Sequence, residues 1–176
     1  PNVYFRPDSS IDSAGLLVYD NATNKTKYNS SFVTTYDGSR GADGDVMGIA
    51  VDMDNGAFYV SKNGTFYSSG DPTSGSSRTN AGVTWTPASA FTSGMIPTST
   101  PTGGTVPIIN INFGQDGTFQ GTETAGGNSD TNGYGNFYSS VPSGYSAICT
   151  GALSMADAVD PAQTDDDYPQ KLFSPI

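Results

Sequence analysis

Histidine is absent from this 176-residue chain, and that gap removes a large block of chemistry. Ser-His-Asp and Cys-His catalysis and the usual zinc sites all depend on an imidazole. Cysteine occurs once, at Cys149, so no internal disulfide can form. Within Ala147-Ile148-Cys149 that thiol is expected to pack as a small buried hydrophobe. Glutamate also occurs once, as Glu123 in a Gly/Thr-rich stretch, whereas glycoside hydrolysis needs two suitably spaced carboxylates. Seven cations are scattered from Arg6 to Lys171 against seventeen acids, for a net charge of −10. Phosphate recognition needs clustered Lys and Arg, so nucleic acid is not an expected partner. No apolar run approaches the roughly 20 residues of a membrane-spanning helix. Helical periodicity is missing too. The best window, residues 152–159, is too short and carries Asp157 inside it.

What remains is the composition of many short strands and tight turns: 22 Gly, 11 Pro and abundant Ser, Thr and Asn. An all-β domain of one core follows. Its centre is residues 45–67, DVMGIAVDMDNGAFYVSKNGTFY, where Asn55-Gly56 and Asn63-Gly64 are both hairpin signals. A two-residue turn at Asn55-Gly56 pairs Val51 with Val60 and Asp52 with Tyr59. Met47, Ile49, Val51, Met53, Phe58 and Val60 then share one face, with Asp52, Tyr59 and Ser61 on the other. A one-residue slip would invert that apolar set, so pattern and turns agree on a single register.

Around this meander, residues 1–13 read as an irregular lead, residues 15–19 and 31–36 as strands, and residues 20–25 as a polar turn. Residues 68–82 and 97–104 read as Ser/Thr/Gly/Pro loops. Residues 105–113 (TVPIININF) alternate as a strand, with Val106, Ile109, Ile111 and Phe113 as anchors expected to be buried. Residues 144–149 read as a last strand, and residues 151–176 as an acidic tail.

Three of these segments, taken in order, resemble SPRY domains. GDVMGIAVDMDNGAFYVSKNG (44–64) is similar to the family's central motif: Gly-Asp-Val-Ile-Gly, an apolar strand, Asp-x-Asp-Asn-Gly, an aromatic strand, then Lys-Asn-Gly. VPIININFGQDGTF (106–119) is similar to the later strand ending in Asn-Phe-Gly-Gln, and VPSGYSAI (141–148) to the closing Pro-x-Gly-Tyr strand. The resemblance covers residues 14–150. It implies a two-layer antiparallel β-sandwich, a concanavalin-like jelly roll, without catalytic activity or cofactor. The family's opening strands, with their Trp-Tyr-Glu-type motif, have no counterpart before Leu16, so the sandwich is expected to lack its first strands in this chain.

The Asn/Thr/Gly-rich style resembles the SPRY-like modules of bacteriophage virion proteins. That implies a binding or structural module of a tail fibre, tail tip or capsid decoration. Its partners would be other virion subunits, further copies of itself and a host-surface glycan or protein. A cellular SPRY adaptor for peptides and a polysaccharide-degrading sandwich enzyme are the alternatives.

Candidate binding residues are the aromatics in or beside loops, Tyr36, Tyr67, Trp85 and Tyr134, with Tyr138 and the loop cation Arg40. Aromatic rings stack on sugars and anchor protein interfaces at low entropic cost; equally, such rings can cap a sandwich core. The topology puts residues 36–44 and the Asn63-Gly64 turn at one end of the sheet, the first place to expect a ligand, with residues 68–85 second. Arg40 there either anchors a sugar or acidic group or pairs with Asp37 or Asp43. Asp37, Asp43 and Asp45 bracket a Gly-rich loop, as calcium ligands or as solvated acids. No transition metal is expected. Asn21, Asn24, Asn29 and Asn63 head Asn-x-Ser/Thr sequons, which matter only in a secretory pathway.

Overall fold

The structure, a computed structural model, describes residues 44–87 and 110–149 throughout and the backbone of strands within 2–6, 14–18, 24–28, 31–36 and 96–100. All paired strands among these residues are antiparallel. In chain order they are β1 (Asn2–Arg6), β2 (Ala14–Val18), β3 (Asn24–Tyr28), β4 (Ser31–Tyr36), β5 (Met47–Asp52), β6 (Ala57–Lys62), β7 (Thr65–Phe66), β8 (Val83–Thr84) and β9 (Ile96–Thr100). One sheet has the order β4-β3-β2-β1-β9; the other runs β5-β6-β7, with β8 also paired to β6. Cα atoms of β2 come within 8 Å of β6, and those of β3 within 8 Å of β8. The β-rich expectation therefore holds, with 3-10 turns at Tyr67–Ser69 and Pro72–Ser77 as the helical elements among the described residues.

The central meander forms, but its first turn is wider than the two-residue expectation. Val51 pairs with Phe58, Ile49 with Val60 and Asp52 with Ala57, leaving residues 53–56 as a four-residue loop. Asp52 causes the difference. Its Oδ1 accepts the Asn55 amide at 2.9 Å and its Oδ2 accepts Asn55 Nδ2 at 2.8 Å, folding an Asx-type turn ahead of the glycine. Asn55 keeps a negative φ, and Gly56 alone takes the left-handed conformation, at +71°. The shift is two residues, so every side chain keeps its expected face. The second turn is the two-residue type I′ form, with Asn63 at φ +49° and Gly64 at +84°. It is closed by Lys62 opposite Thr65.

Both faces of β6 are buried. Phe58 and Val60 lie on one side with Val83; Tyr59, with Ala50 and Ala57, lies on the other under Phe66, Ala81 and Tyr145. Tyr59 meets Phe66 edge-on, with ring centroids 6.4 Å apart at 85°. Asp52 is half-buried, and Met53, which the pattern places with the apolar set, is exposed.

Several elements differ from the sequence expectation. Residues 2–6 are not an irregular lead: they form β1, flanked by β2 and β9. A strand thus precedes the one that holds Leu16, with the sequence NVYFR and no Trp-Tyr-Glu-type motif. Strand β9, at residues 96–100, enters the stretch 97–104 that reads as loop from its Pro and Thr; it is an edge strand in which Pro97 sits opposite Phe5. An edge tolerates proline because the missing N–H removes at most a bond on one side. Strand β3 begins inside the stretch read as a turn. Residues 68–82 are less open than a surface loop, since Pro72 and Gly82 are buried and the Gly82 amide donates to Phe58 O at 2.8 Å.

The expected strands at 105–113 and 144–149 find no counterpart where they are described. Residues 110–113 and 144–149 form no strand, Ile111 and Ile148 are exposed, and Cys149 is only half-buried. Local polar side chains compete for the backbone there. Gln115 takes the Phe113 amide on Oε1 at 2.6 Å and gives Nε2 to Ile111 O at 2.7 Å. Asn112 Oδ1 takes the amides of Gly114 at 2.7 Å and Asp116 at 3.1 Å. Val106, Ile109 and the tail at 151–176 lie outside the described residues.

Candidate functional site

Residues 110–149 fold as a stack of loops held by side-chain-to-backbone bonds, and one buried carboxylate organises the outermost of them. Asp130 is 5% exposed. Its Oδ1 accepts the amides of Asn132 and Tyr134, both at 2.9 Å, and its Oδ2 accepts the amide of Ala147 at 3.0 Å. Its own amide donates to Tyr134 O at 2.9 Å, and its carbonyl accepts from Gly133 at 3.0 Å. The Ala147 bond above all, with help from the Tyr134, Asn132 and Gly133 amides, holds the carboxyl below the usual carboxylate range, against the opposing pull of burial.

The clasp pins Tyr134 through both its N–H and its C=O, while 42% of the residue stays exposed. An aromatic side chain is thus presented from a backbone that has little freedom left to lose. Further ties fix the loop to the rest of the unit. Asn128 and Phe137 exchange backbone bonds at 2.8 and 3.3 Å, and Asn128 Nδ2 also reaches Tyr138 O at 3.0 Å. Asn112 Nδ2 donates to Asn136 O at 2.8 Å. Beyond Pro142 the chain returns to the core, where the Tyr145 hydroxyl donates to Pro72 O at 3.0 Å.

The same segment reaches the end of the sheet that the topology marked for ligands. A Cβ built on Gly64 would lie 2.9 Å from Ser139 Oγ, so the Asn63-Gly64 turn and residues 138–140 are neighbours. That turn is itself rigid. Asn63 Oδ1 accepts the Val46 amide at 2.8 Å, Asn63 Nδ2 donates to Asp45 Oδ1 at 2.7 Å, and Lys62 Nζ pairs with Asp45 Oδ2 at 2.8 Å.

The sequence-selected residues are dispersed. Tyr67 is 8% and Trp85 4% exposed, so both rings pack inward and serve the core. Among the described candidates Tyr134 is the one exposed, and Tyr138 is half-buried. Tyr36 ends β4, opposite Asn24. Arg40, Asp37 and Asp43 lie outside the described residues, so the Arg40 anchor and the three-acid calcium loop are not placed. Asp45 is engaged with Lys62 and Asn63, and no cluster of metal-ligating side chains occurs among the described residues.

Acidic side chains elsewhere serve similar turns. Asp116 Oδ1 takes both the amide and the hydroxyl of Thr118, at 2.8 and 2.6 Å, and Asp71 Oδ1 does the same with Thr73, at 2.9 and 2.6 Å. The hydroxyl partner is the main reason that each carboxyl lies below its ordinary range. Sequence reading passed over Asp130. Its available signal was Asp130-Thr131-Asn132-Gly133, an acid two residues ahead of an Asn-Gly turn, where the side chain mimics a backbone carbonyl.

The chain matches no family model, no curated protein and no solved structure. Among the described residues no helix is long and apolar enough to cross a membrane.

Proposed function

We propose that the chain is a non-enzymatic binding module, a SPRY-like β-sandwich carried by a bacteriophage virion in a tail fibre, tail tip or capsid decoration. Its rigid end loops would meet a host-surface glycan or protein or a neighbouring virion subunit. The observation that carries the binding reading is Tyr134, held at both backbone groups by a buried carboxylate and left 42% exposed. A ring presented this way gives contact area with little ordering cost on association. Asp45, Asp52, Asp71, Asp116 and Asp130 support the same reading, because each is engaged with amides, hydroxyls or a cation that shape turns. The sandwich reading rests on the three motif segments at 44–64, 106–119 and 141–148, and the virion setting on the Asn/Thr/Gly-rich style of the chain.

The test is immunogold labelling of purified particles together with mass spectrometry of their proteins. Regular labelling at a tail or capsid position is the expected result. Recovery of the chain only in the particle-free fraction of the lysate would overturn the virion reading.

A further inference from the structure

We propose that Asn132 is a site of spontaneous succinimide formation and backbone isomerisation, and that its conversion opens the Asp130 clasp. The chain holds three Asn-Gly pairs, at 55–56, 63–64 and 132–133. All three share the same intrinsic chemistry, because glycine has no Cβ to shield its amide nitrogen or restrict the backbone. In the reaction Gly133 N bonds to Asn132 Cγ, the Cγ–Nδ2 bond breaks, and Nδ2 leaves as ammonia carrying the former amide proton. Water then opens the five-membered imide at one carbonyl or the other, giving aspartate or isoaspartate.

What separates the three pairs is their surroundings. Asn55 is held by Asp52 through both its amide and its Nδ2, at 2.9 and 2.8 Å. Its Gly56 is buried, with the Trp85 carbonyl 2.2 Å from where a Cβ would stand. Asn63 is held at both side-chain ends, by the Val46 amide and by Asp45, at 2.8 and 2.7 Å. Reaching the cyclic geometry from either requires breaking those bonds.

Asn132 is exposed, and among the described residues its bond is the backbone one to Asp130 Oδ1 at 2.9 Å, which leaves the side-chain amide unrestrained. Gly133 is exposed at φ +82°, with open space where a Cβ would be. The restraints on this pair are the backbone bonds of the clasp, Asn132 N to Asp130 Oδ1 at 2.9 Å and Gly133 N to Asp130 O at 3.0 Å, and neither holds the side-chain amide. The Asn132 side chain can therefore turn toward Gly133 N without first breaking a side-chain bond, and only the turn bond on that nitrogen has to open.

Isoaspartate would add a methylene to the backbone between residues 132 and 133. The turn that aims the Asn132 and Tyr134 amides at Asp130 Oδ1 would lose its register, and a new carboxylate would stand close in sequence to a buried one. Like charges so placed repel.

The experiment ages the purified chain at mildly alkaline pH and follows it by peptide mapping, with hydrogen exchange on the aged and fresh forms. Amide-to-acid conversion is expected first at Asn132, several-fold ahead of Asn55 and Asn63. The converted form is expected to lose exchange protection at Tyr134 and Ala147, and Asn132→Ser aged in parallel to retain it. Conversion at Asn55 or Asn63 as early as at Asn132 overturns the proposal. So does a converted form that keeps its protection, or an aged Asn132→Ser chain that loses it equally.

Discussion

Asp130 Oδ2 accepts the amide of Ala147 at 3.0 Å across 17 residues of sequence, and so joins the tip of the outer loop to the segment that re-enters the core. Replacing Asp130 with Asn turns one acceptor oxygen into a donor that faces N–H groups. In either rotamer at least one of the amides of Asn132, Tyr134 and Ala147 loses its acceptor. Asp130→Asn is expected to lower the melting temperature and to speed hydrogen exchange at Ala147 or Tyr134, with β5 and β6 still protected. Amide exchange by NMR checks this, and unchanged rates at both residues would show that the clasp does not hold the loop.

The same carboxylates set the acid behaviour. Asp71, Asp116 and Asp130 all have folded pKa values below the ordinary one. A depressed folded value means the folded state binds fewer protons than the unfolded chain as acid is added. Their contribution is therefore present above the ordinary carboxylate value of about 4 and is lost as pH falls through the lower folded values. Urea midpoints are expected to be level from neutral pH down to that point and then to drop. At alkaline pH the sign reverses for Tyr59 and Tyr145, whose phenols burial pushes up. Their contribution is complete below about pH 10 and fades only as pH rises through the higher folded values. In an absorbance titration these two should ionise last.

Gly56 serves the first hairpin in two ways at once. Its φ of +71° disfavours any side chain, and an added Cβ would lie 2.2 Å from the Trp85 carbonyl oxygen. Backbone cannot yield as a flexible side chain would, so Gly56→Ala should cost about 3 kcal/mol or more. Chemical denaturation measures it. A loss under about 1 kcal/mol, no more than left-handed strain alone, would mean that the segment at 83–85 can move away.

Two adjacent core residues should behave oppositely. Phe58 is 0% exposed and packs with Val83, so Phe58→Ala is expected to cost about 3–5 kcal/mol in transfer and cavity terms. The Tyr59 hydroxyl is buried beside Ser74 without closing a hydrogen bond of good geometry. Tyr59→Phe removes a polar group that is poorly satisfied and keeps the ring against Phe66, so stability should change by less than about 1 kcal/mol. Equilibrium unfolding of both variants decides it; a large loss from Tyr59→Phe would reveal a bond that this geometry does not contain.

How far the sequence could be read depended on which force dominated locally. Where apolar alternation set the structure, as from Met47 to Phe66, faces and strands were legible, and even the misjudged turn moved the register by an even number. Asp52 escaped notice because its effect is a hydrogen bond to Asn55, which hydrophobic periodicity does not encode. Residues 110–113 were misread for the same reason. Ile111 and Phe113 alternate like a strand, yet Asn112 and Gln115 supply the backbone with partners that a neighbouring strand would otherwise provide. Strands β1 and β9 carried too little apolar signal, with Pro7 and Pro97 arguing against them, so their mutual pairing could not be foreseen.

Tyr134 and Trp85 separate surface from core among the aromatics that the sequence suggested for binding. Tyr134 is 42% exposed, and its loop is held through backbone groups that truncation leaves in place. Trp85 is 4% exposed, and its amide donates to Gly56 O at 3.0 Å at the base of the first hairpin. Tyr134→Ala is therefore expected to leave the melting curve unchanged and to weaken adsorption to the host surface or to particle subunits by about tenfold or more, the scale of an interface anchor. Trp85→Ala should cost about 3 kcal/mol or more by emptying a core site, and any loss of binding should follow the loss of folded protein. Binding per folded molecule, with the folded fraction taken from thermal unfolding, distinguishes the two. A Tyr134→Ala chain that folds and adsorbs as the parent does would remove this loop from the recognition surface and leave the Asn63-Gly64 turn as the place to look.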